Sequence, residues 1–270
     1  MKTRIIVAVC LLPLFLAVLL ACPAWATAVM VAGMAALAVY ELLYTTKLCP
    51  QPRLVTYSVV AAVAVVLFCH FGLGRLWYMA LAFLYLCALV GELLHANTSL
   101  KFESVCVAVI SAFVIPFALS ALVRIRNLEF GKYYIIVSLI LAFSSDSGAY
   151  FAGRFFGKRK LAPVISPKKT VEGMVGGVLT CVLFMLGYGL VLQHAFHFQV
   201  NYYYAAIYGI VGSFASVVGD LAFSVIKRQT GVKDYGKLLP GHGGILDRFD
   251  STVLVAPLTE LLILFLPIML

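Results

Sequence analysis

Apolar residues in this chain do not recur at the spacing of a single helix face. They run almost unbroken for about twenty residues at a time, separated by short segments that collect glycine, proline and basic residues. A helix apolar all round its surface is one that lies in lipid, and roughly 20 such residues span a bilayer. The pattern predicts about nine spans, near 4–21, 24–45, 55–73, 76–94, 104–123, 133–153, 173–193, 203–227 and 251–269. The first run, "MKTRIIVAVCLLPLFLAVLLACPAWATA", carries a basic start and an Ala-Trp-Ala that resembles a signal-peptidase site. Its apolar length and its nearly continuous passage into the second run favour a retained span over a cleaved leader.

Composition sharpens this picture. Of 270 residues, 63% are apolar and 11% charged, where a soluble domain carries about 25% charged residues. Lipid must therefore be the solvent for most of the surface. The seven cysteines stand singly in the apolar runs with no CxxC spacing, so they read as small buried hydrophobes rather than disulfides or zinc ligands. The expected fold is an all-α polytopic membrane protein with a cytoplasmic N-terminus. Residues 1–270 are expected to form a single membrane domain, with spans 1–5 in 1–123 and the motif-bearing spans 6–9 with their cytoplasmic loops in 133–270.

Charge orients the bundle. With the N-terminus inside, Lys2, Arg4, Lys47, Arg53, Lys101 and the basic residues of 154–172 and 227–250 are cytoplasmic, leaving Arg75, Arg124, Arg126 and Lys132 outside. The net charge of +9 thus belongs mainly to one face. Without an extramembrane domain, nucleic acid is excluded as a partner, and anionic small molecules or lipids are favoured.

The acidic residues divide into two groups. Glu41 and Glu92 lie near cytoplasmic helix ends and read as interfacial carboxylates, while Glu260 falls inside the last run. The His194–His197 pair has HxxH spacing but lies on the outer side without an acidic neighbour, and reads as interfacial. Asp146 and Asp220 lie inside apolar runs, each seven or eight residues before cytoplasmic basic positions. At about 1.5 Å per residue both sit roughly 10–12 Å from those cations, at similar depth. An ionised Asp near a helix centre costs at least about 2.5–3.5 kcal/mol on insertion scales, so two at one depth call for shared compensation. In "YGIVGSFASVVGDLAFSVIKR", Gly212 with Ser216 and Ala215 with Gly219 are small-residue pairs that admit a close neighbour. Asp220, Ser224 and Lys227 share one face at i, i+4, i+7.

Two cytoplasmic segments carry candidate chemistry. "GRFFGKRKLAPVISPKKTVEG" lacks Walker spacing, yet Arg154, Lys158, Arg159, Lys160, Lys168 and Lys169 crowd beside Asp146. Thr170 is placed to cap a helix beginning near Val171, and such an N-terminus behind two lysines suits an anion. "GHGGILDRFDS" places His242, Gly243, Gly244, Asp247, Arg248 and Asp250 at the mouth of the ninth run. Asp247 and Asp250, i and i+3, offer hard oxygen ligands suited to Mg²⁺, which keeps waters and phosphate oxygens in its shell. Arg248 can pair with a phosphate.

"SVIKRQTGVKDYGKLLPGHGGILDRFDS", from Ser224 to Ser251, resembles the signature of the phosphatidate cytidylyltransferase (CDP-diacylglycerol synthase) family. Its matching elements are Ser224, Lys227-Arg228, Lys233-Asp234, His242-Gly243-Gly244 and Asp247-Arg248-Phe249-Asp250. Upstream, "SDSGAYFAGRFFGK" and "SPKKTVEG" resemble two further segments of that family in the expected order, so the likeness covers about residues 144–251. The resemblance implies a dimeric membrane enzyme of the cell (inner) membrane that uses CTP and Mg²⁺, with room for a second cation. Its active site would face the cytoplasm, transferring CMP to phosphatidic acid and giving CDP-diacylglycerol and pyrophosphate. It further implies Asp220 and Asp247 as the metal ligands, both already singled out as carboxylates needing a cation.

Lys168, Lys169, Lys227, Arg228 and Arg248 are then candidates to hold triphosphate, pyrophosphate or lipid headgroup. Thr170, Ser224, Lys233, Asp234, Gly243, Gly244 and Asp250 complete the substrate contacts; Asp146 is a candidate supporting or second-cation ligand and His242 an orienting donor. Two rival readings are a CTP-dependent lipid kinase, which moves the γ-phosphoryl group, and an ion-coupled transporter built on Asp146 and Asp220. The pattern of CDP-alcohol phosphotransferases is absent.

Overall fold

The computed structural model describes residues 13, 15–96, 100–236, 238 and 243–269. Seven helices in it are long and apolar enough to cross a membrane: Ala24–Thr45, Pro52–His70, Arg75–His95, Phe102–Arg126, Gly131–Phe156, Val171–Phe196 and Tyr202–Gln229. Two of the nine predicted spans are not among them. The first falls largely outside the described residues, although 15–20 are helical. The ninth shortens to Thr252–Phe265, 14 residues or about 21 Å, against a hydrocarbon core of about 30 Å. It stops before Pro267, whose ring disfavours helix at the preceding residue.

Contacts between Cα atoms divide the chain into two compact units. One comprises Met1–Glu129 and Lys227–Phe249, the other Phe130–Ile226 and Asp250–Leu270.

The first unit is led by α1 (Ala24–Tyr40), which closes in a π turn at Glu41–Thr45, and α2 (Pro52–His70), which has proline at its first position. That placement suits a residue without an N–H and with φ already fixed. Ser58 of α2 and Tyr85 of α3 (Arg75–Ala96) share a 2.7 Å hydroxyl hydrogen bond. Trp77, Phe83 and Leu84 on α3 are exposed, as expected of a helix solvated by lipid. A long fourth span follows as α4 (Phe102–Val109), a π turn (Ile110–Val114), α5 (Ile115–Leu119) and α6 (Ala121–Arg126). The π turn precedes Pro116, which has no N–H for an i−4 carbonyl. Arg126 is buried and donates to the carbonyls of Leu19 (3.0 Å) and Cys22 (3.1 Å). Cys49, fully buried between α1 and α2, has its thiol pushed up by burial. The six described cysteines are all free, but the expected burial holds only for Cys49 and Cys181: Cys22, Cys69 and Cys106 are half-buried and Cys87 on α3 is exposed.

The second unit is built on α7 (Gly131–Phe156) and α8 (Val171–Phe196), 26 residues each. They run antiparallel, with Tyr188 donating to the Tyr133 carbonyl at one end and Gly153 facing Gly173 at the other. Glycine makes the approach possible: a Cβ on Gly148 would collide with Thr180, and one on Gly176 with Ala152. α9 (Tyr202–Gln229) closes on α8 at Gly209, where a Cβ would lie 2.6 Å from Val182 Cα. Gly212 meets Leu141, and Gly219 meets the backbone at Ser251 (3.0 Å from an added Cβ), so the small residues of this span do admit close neighbours.

An all-helical reading omits one element. The basic segment after α7 folds as an antiparallel hairpin, β1 (Lys160–Ala162) with β2 (Ser166–Thr170). Its strands are too short and too polar to show a period-two pattern. After a one-turn α10 (Leu246–Phe249) in the first unit, α11 (Thr252–Phe265) packs on α7. The chain end is fixed by an Asn201 N–H to Ile268 carbonyl bond of 2.9 Å.

Candidate active site

Within the second unit, β2 ends on Thr170, whose hydroxyl accepts the amide of Gly173 at 3.1 Å. This is the predicted N-cap, and it fixes where α8 starts. The Glu172 carboxylate accepts the amides of Lys158 (3.0 Å) and Arg159 (3.1 Å), folding the basic segment onto that helix start. Successive side chains on a strand point to opposite sides. Lys168 is accordingly exposed, whereas Lys169 is half-buried and places Nζ 2.5 Å from Asp220 Oδ2. Asp220 Oδ1 accepts the Ser224 hydroxyl at 3.1 Å, as the i, i+4 spacing predicts. One turn earlier on α9, Ser216 donates to Asp146 Oδ1 at 3.2 Å. Asp146 and Asp220 thus address neighbouring turns of one helix. Ser145 and Ser213 are joined beside them by a 2.7 Å hydroxyl bond.

Within the first unit, the centre is Asp247 on α10, with a side chain only 2% exposed. Its Oδ1 lies 3.0 Å from Lys227 Nζ, and its Oδ2 accepts the amides of Tyr235 (2.7 Å) and Gly244 (3.0 Å). Gly243 has φ +86, and a Cβ there would lie 2.8 Å from Asp247 Oδ2 and 3.4 Å from Asp234 Cβ. Only glycine fits both the backbone and the space. The Lys227 ammonium also sits over the Tyr235 ring, 5.4 Å from its centroid. Arg228, Lys233, Asp234 and Arg248 are exposed. His242 lies outside the described residues. Asp250, expected as a second oxygen ligand, is buried, with Oδ1 accepting the Ser251 amide at 2.8 Å. It also lies beyond the helical turn that carries Asp247, so the two do not open one continuous ninth helix.

Sequence reasoning missed Glu41. It lies at the helix end as expected, but it does not snorkel: it is 4% exposed and accepts the amides of Ile245 (3.0 Å) and Leu246 (2.9 Å). No local signal names those partners, about two hundred residues downstream. Glu92 fits the expected helix-end role better, 3.9 Å from Arg53. His194 and His197 are both exposed, and His197 ends α8 with φ 59.

Each carboxylate, Asp220 in the second unit and Asp247 in the first, offers hard oxygens of the kind a divalent cation takes. Asp220 and Asp247 each hold one oxygen by neutral donors and turn the other toward an ammonium group. Among the described residues no cluster of three His, Cys, Asp or Glu side chains gathers. Mg²⁺ is usually held by one or two carboxylates plus phosphate oxygens, and needs no such cluster.

These features define an integral membrane protein with carboxylate–ammonium pairs formed where its helices meet the basic segments. A model of the cytidylyltransferase family matches residues 2–266, and the chain belongs to that family. It is 41% identical over 162 residues to the phosphatidate cytidylyltransferase of Bacillus subtilis (strain 168), covering 60% of this chain and 59% of that protein. It is 46% identical over 134 residues to the protein of the same name from Staphylococcus epidermidis (strain ATCC 12228), covering 50% of each. The chain therefore aligns with about half to three-fifths of the length of these relatives.

Proposed function

We propose that this protein transfers CMP from CTP to phosphatidic acid, giving CDP-diacylglycerol and pyrophosphate. The observation that carries the reading is a pair of carboxylate–ammonium contacts, Lys169–Asp220 and Lys227–Asp247, in a cytidylyltransferase-family chain: Lys169, Lys227 and Asp247 fall on the motif segments, and Asp220 lies four residues before Ser224, where the last segment begins. The names of its relatives support the same substrates.

The reaction suits these residues. A phosphate monoester has its second pKa near 6, so the lipid phosphate is largely a dianion at neutral pH and needs no strong base. Its oxygen attacks the α-phosphorus of CTP; the bond to the β-phosphate breaks, and pyrophosphate leaves with the electron pair. The difficulty is bringing two polyanions together in line, which calls for cations and positioning. Mg²⁺, held by Asp220 and Asp247, would neutralise the triphosphate when bound, and a second cation is compatible with the site. Lys168, Lys169, Lys227, Arg228 and Arg248 supply the remaining positive charge. Thr170, Ser224, Lys233, Asp234, Gly243, Gly244 and Asp250 shape the substrate contacts. Asp146 supports the Asp220 turn through Ser216, and His242 is an orienting donor.

The proposed setting is the cell membrane, with nine spans, a cytoplasmic N-terminus and a cytoplasm-facing site where soluble CTP meets a lipid in the leaflet. The whole chain acts as one catalytic domain in a homodimer surrounded by membrane lipid, without nucleic acid. Purified protein given phosphatidate, Mg²⁺ and CTP labelled at the α- or γ-phosphorus tests the reading. Label from the α position in lipid is the expected result. Label from the γ position identifies a CTP-dependent kinase, and no lipid label from folded protein returns the transporter reading.

A further inference from the structure

We propose that Glu41 is a positioning residue for Asp247, a role that rests on the catalytic reading of Asp247 above. The amides of Gly244, Ile245 and Leu246 are consecutive and are divided between two carboxylates. The first binds Asp247 Oδ2, the second Glu41 Oε1 and the third Glu41 Oε2. Using both oxygens of one buried carboxylate fixes the rotation of this segment as well as its distance from α1. The peptide that holds Asp247 is thereby locked to the peptides that Glu41 holds. Asp247 Oδ2 is occupied in the process, and Oδ1 is the oxygen left toward Lys227.

Two further observations support this. Glu41 opens the π turn that closes α1, and π turns inside helices recur at functional sites. Gly236 and Gly244 also flank the Glu41 carboxylate so closely that a Cβ on either would collide with it. The backbone at Gly236 and Gly244 is thus closed onto the Glu41 carboxylate. Burying a carboxylate beside lipid is costly. An apolar side chain would pack there without that cost, but would leave the Ile245 and Leu246 amides without acceptors.

Glu41→Gln keeps the shape, yet offers one acceptor oxygen and turns an NH₂ toward an amide. In folded, purified protein, kcat should fall about 10–100-fold, the magnitude seen when partners of metal ligands are changed. The Mg²⁺ concentration giving half-maximal rate should rise about tenfold, with KM for phosphatidate changed less than about twofold, since Glu41 touches no lipid in this scheme. Glu41→Asp, which retains both acceptors, should recover part of the loss.

Wild-type kcat and Mg²⁺ dependence in Glu41→Gln would overturn the role, as would lower stability with normal turnover by the folded fraction. Amide exchange in the wild-type protein provides a readout free of both variants and activity. Ile245 and Leu246 should exchange far more slowly than the exposed Leu238, and equal rates would overturn the proposal. Asp247→Asn separates the two claims: its full activity would remove the reading of Asp247, whereas its inactivity beside a normal Glu41→Gln would remove only the role of Glu41.

Discussion

Lys227 and Asp247, twenty positions apart in the chain, stand 3.0 Å apart, nitrogen to oxygen. Both side chains are largely withdrawn from solvent, at 16% and 2% exposure. Removing one partner of such a pair leaves an uncompensated charge, which costs about 3–5 kcal/mol in buried pairs. Lys227→Met should lower the unfolding temperature in detergent and abolish turnover. Combined with Asp247→Asn it should regain much of the stability and none of the activity, as thermal unfolding and product formation measured together will reveal.

Asp220→Asn and Asp247→Asn should each reduce turnover at least about 100-fold, the scale seen when one group that stabilises transition-state charge is deleted. Each variant should still fold in the membrane, since the amide keeps the shape of the carboxylate, but with a lower unfolding temperature because the paired lysine is left uncompensated. Near-normal rates in both would remove these residues from the metal site.

Helix approach supplies a separate expectation. Gly176→Val places a side chain where Ala152 already lies, so the α7–α8 crossing must open and the yield of folded protein should collapse. Gly33→Ala in α1 meets nothing within 4 Å and should be neutral or stabilising by about 0.5 kcal/mol. Size-exclusion profiles after extraction distinguish the two.

Thr170→Ala removes the hydroxyl that accepts the Gly173 amide and should cost about 1 kcal/mol, a typical N-cap loss. Thr170→Ser should preserve the bond, and thermal unfolding of the two variants checks it.

His197 is exposed at the end of α8 and far in sequence from both motif segments. His197→Gln should retain wild-type CMP transfer. An inactive variant would show that the proposed membrane face is wrong.

The long helices were legible because lipid demands a simple signal, an apolar run of sufficient length. The ninth was overread, since Pro267 and the turn at Asp250–Ser251 trim a run that remains apolar beyond the helix. Strands of three and five residues offered no alternation to detect. Asp220, Ser224 and Thr170 declare their neighbours at helical spacing, so their contacts could be read locally. Glu41 declares nothing: its acceptor role depends on amides brought back by the fold from the far end of the chain. Asp247 was found through its motif, but the division of labour between its two oxygens required the structure.

The hairpin pinned by Glu172 changes what an arriving anion must organise. A loose loop would lose about 1–2 kcal/mol of backbone entropy for every residue it orders on capture. Here β1, β2 and the Glu172 bonds have already removed that freedom, and Lys169 is engaged with Asp220. What remains to be stilled is the side chain of Lys168 and its exposed basic neighbours, about 2 kcal/mol at most for each. The segment therefore behaves as a stiff mount with mobile tips, and its readiness for a polyanion is set during folding rather than at encounter.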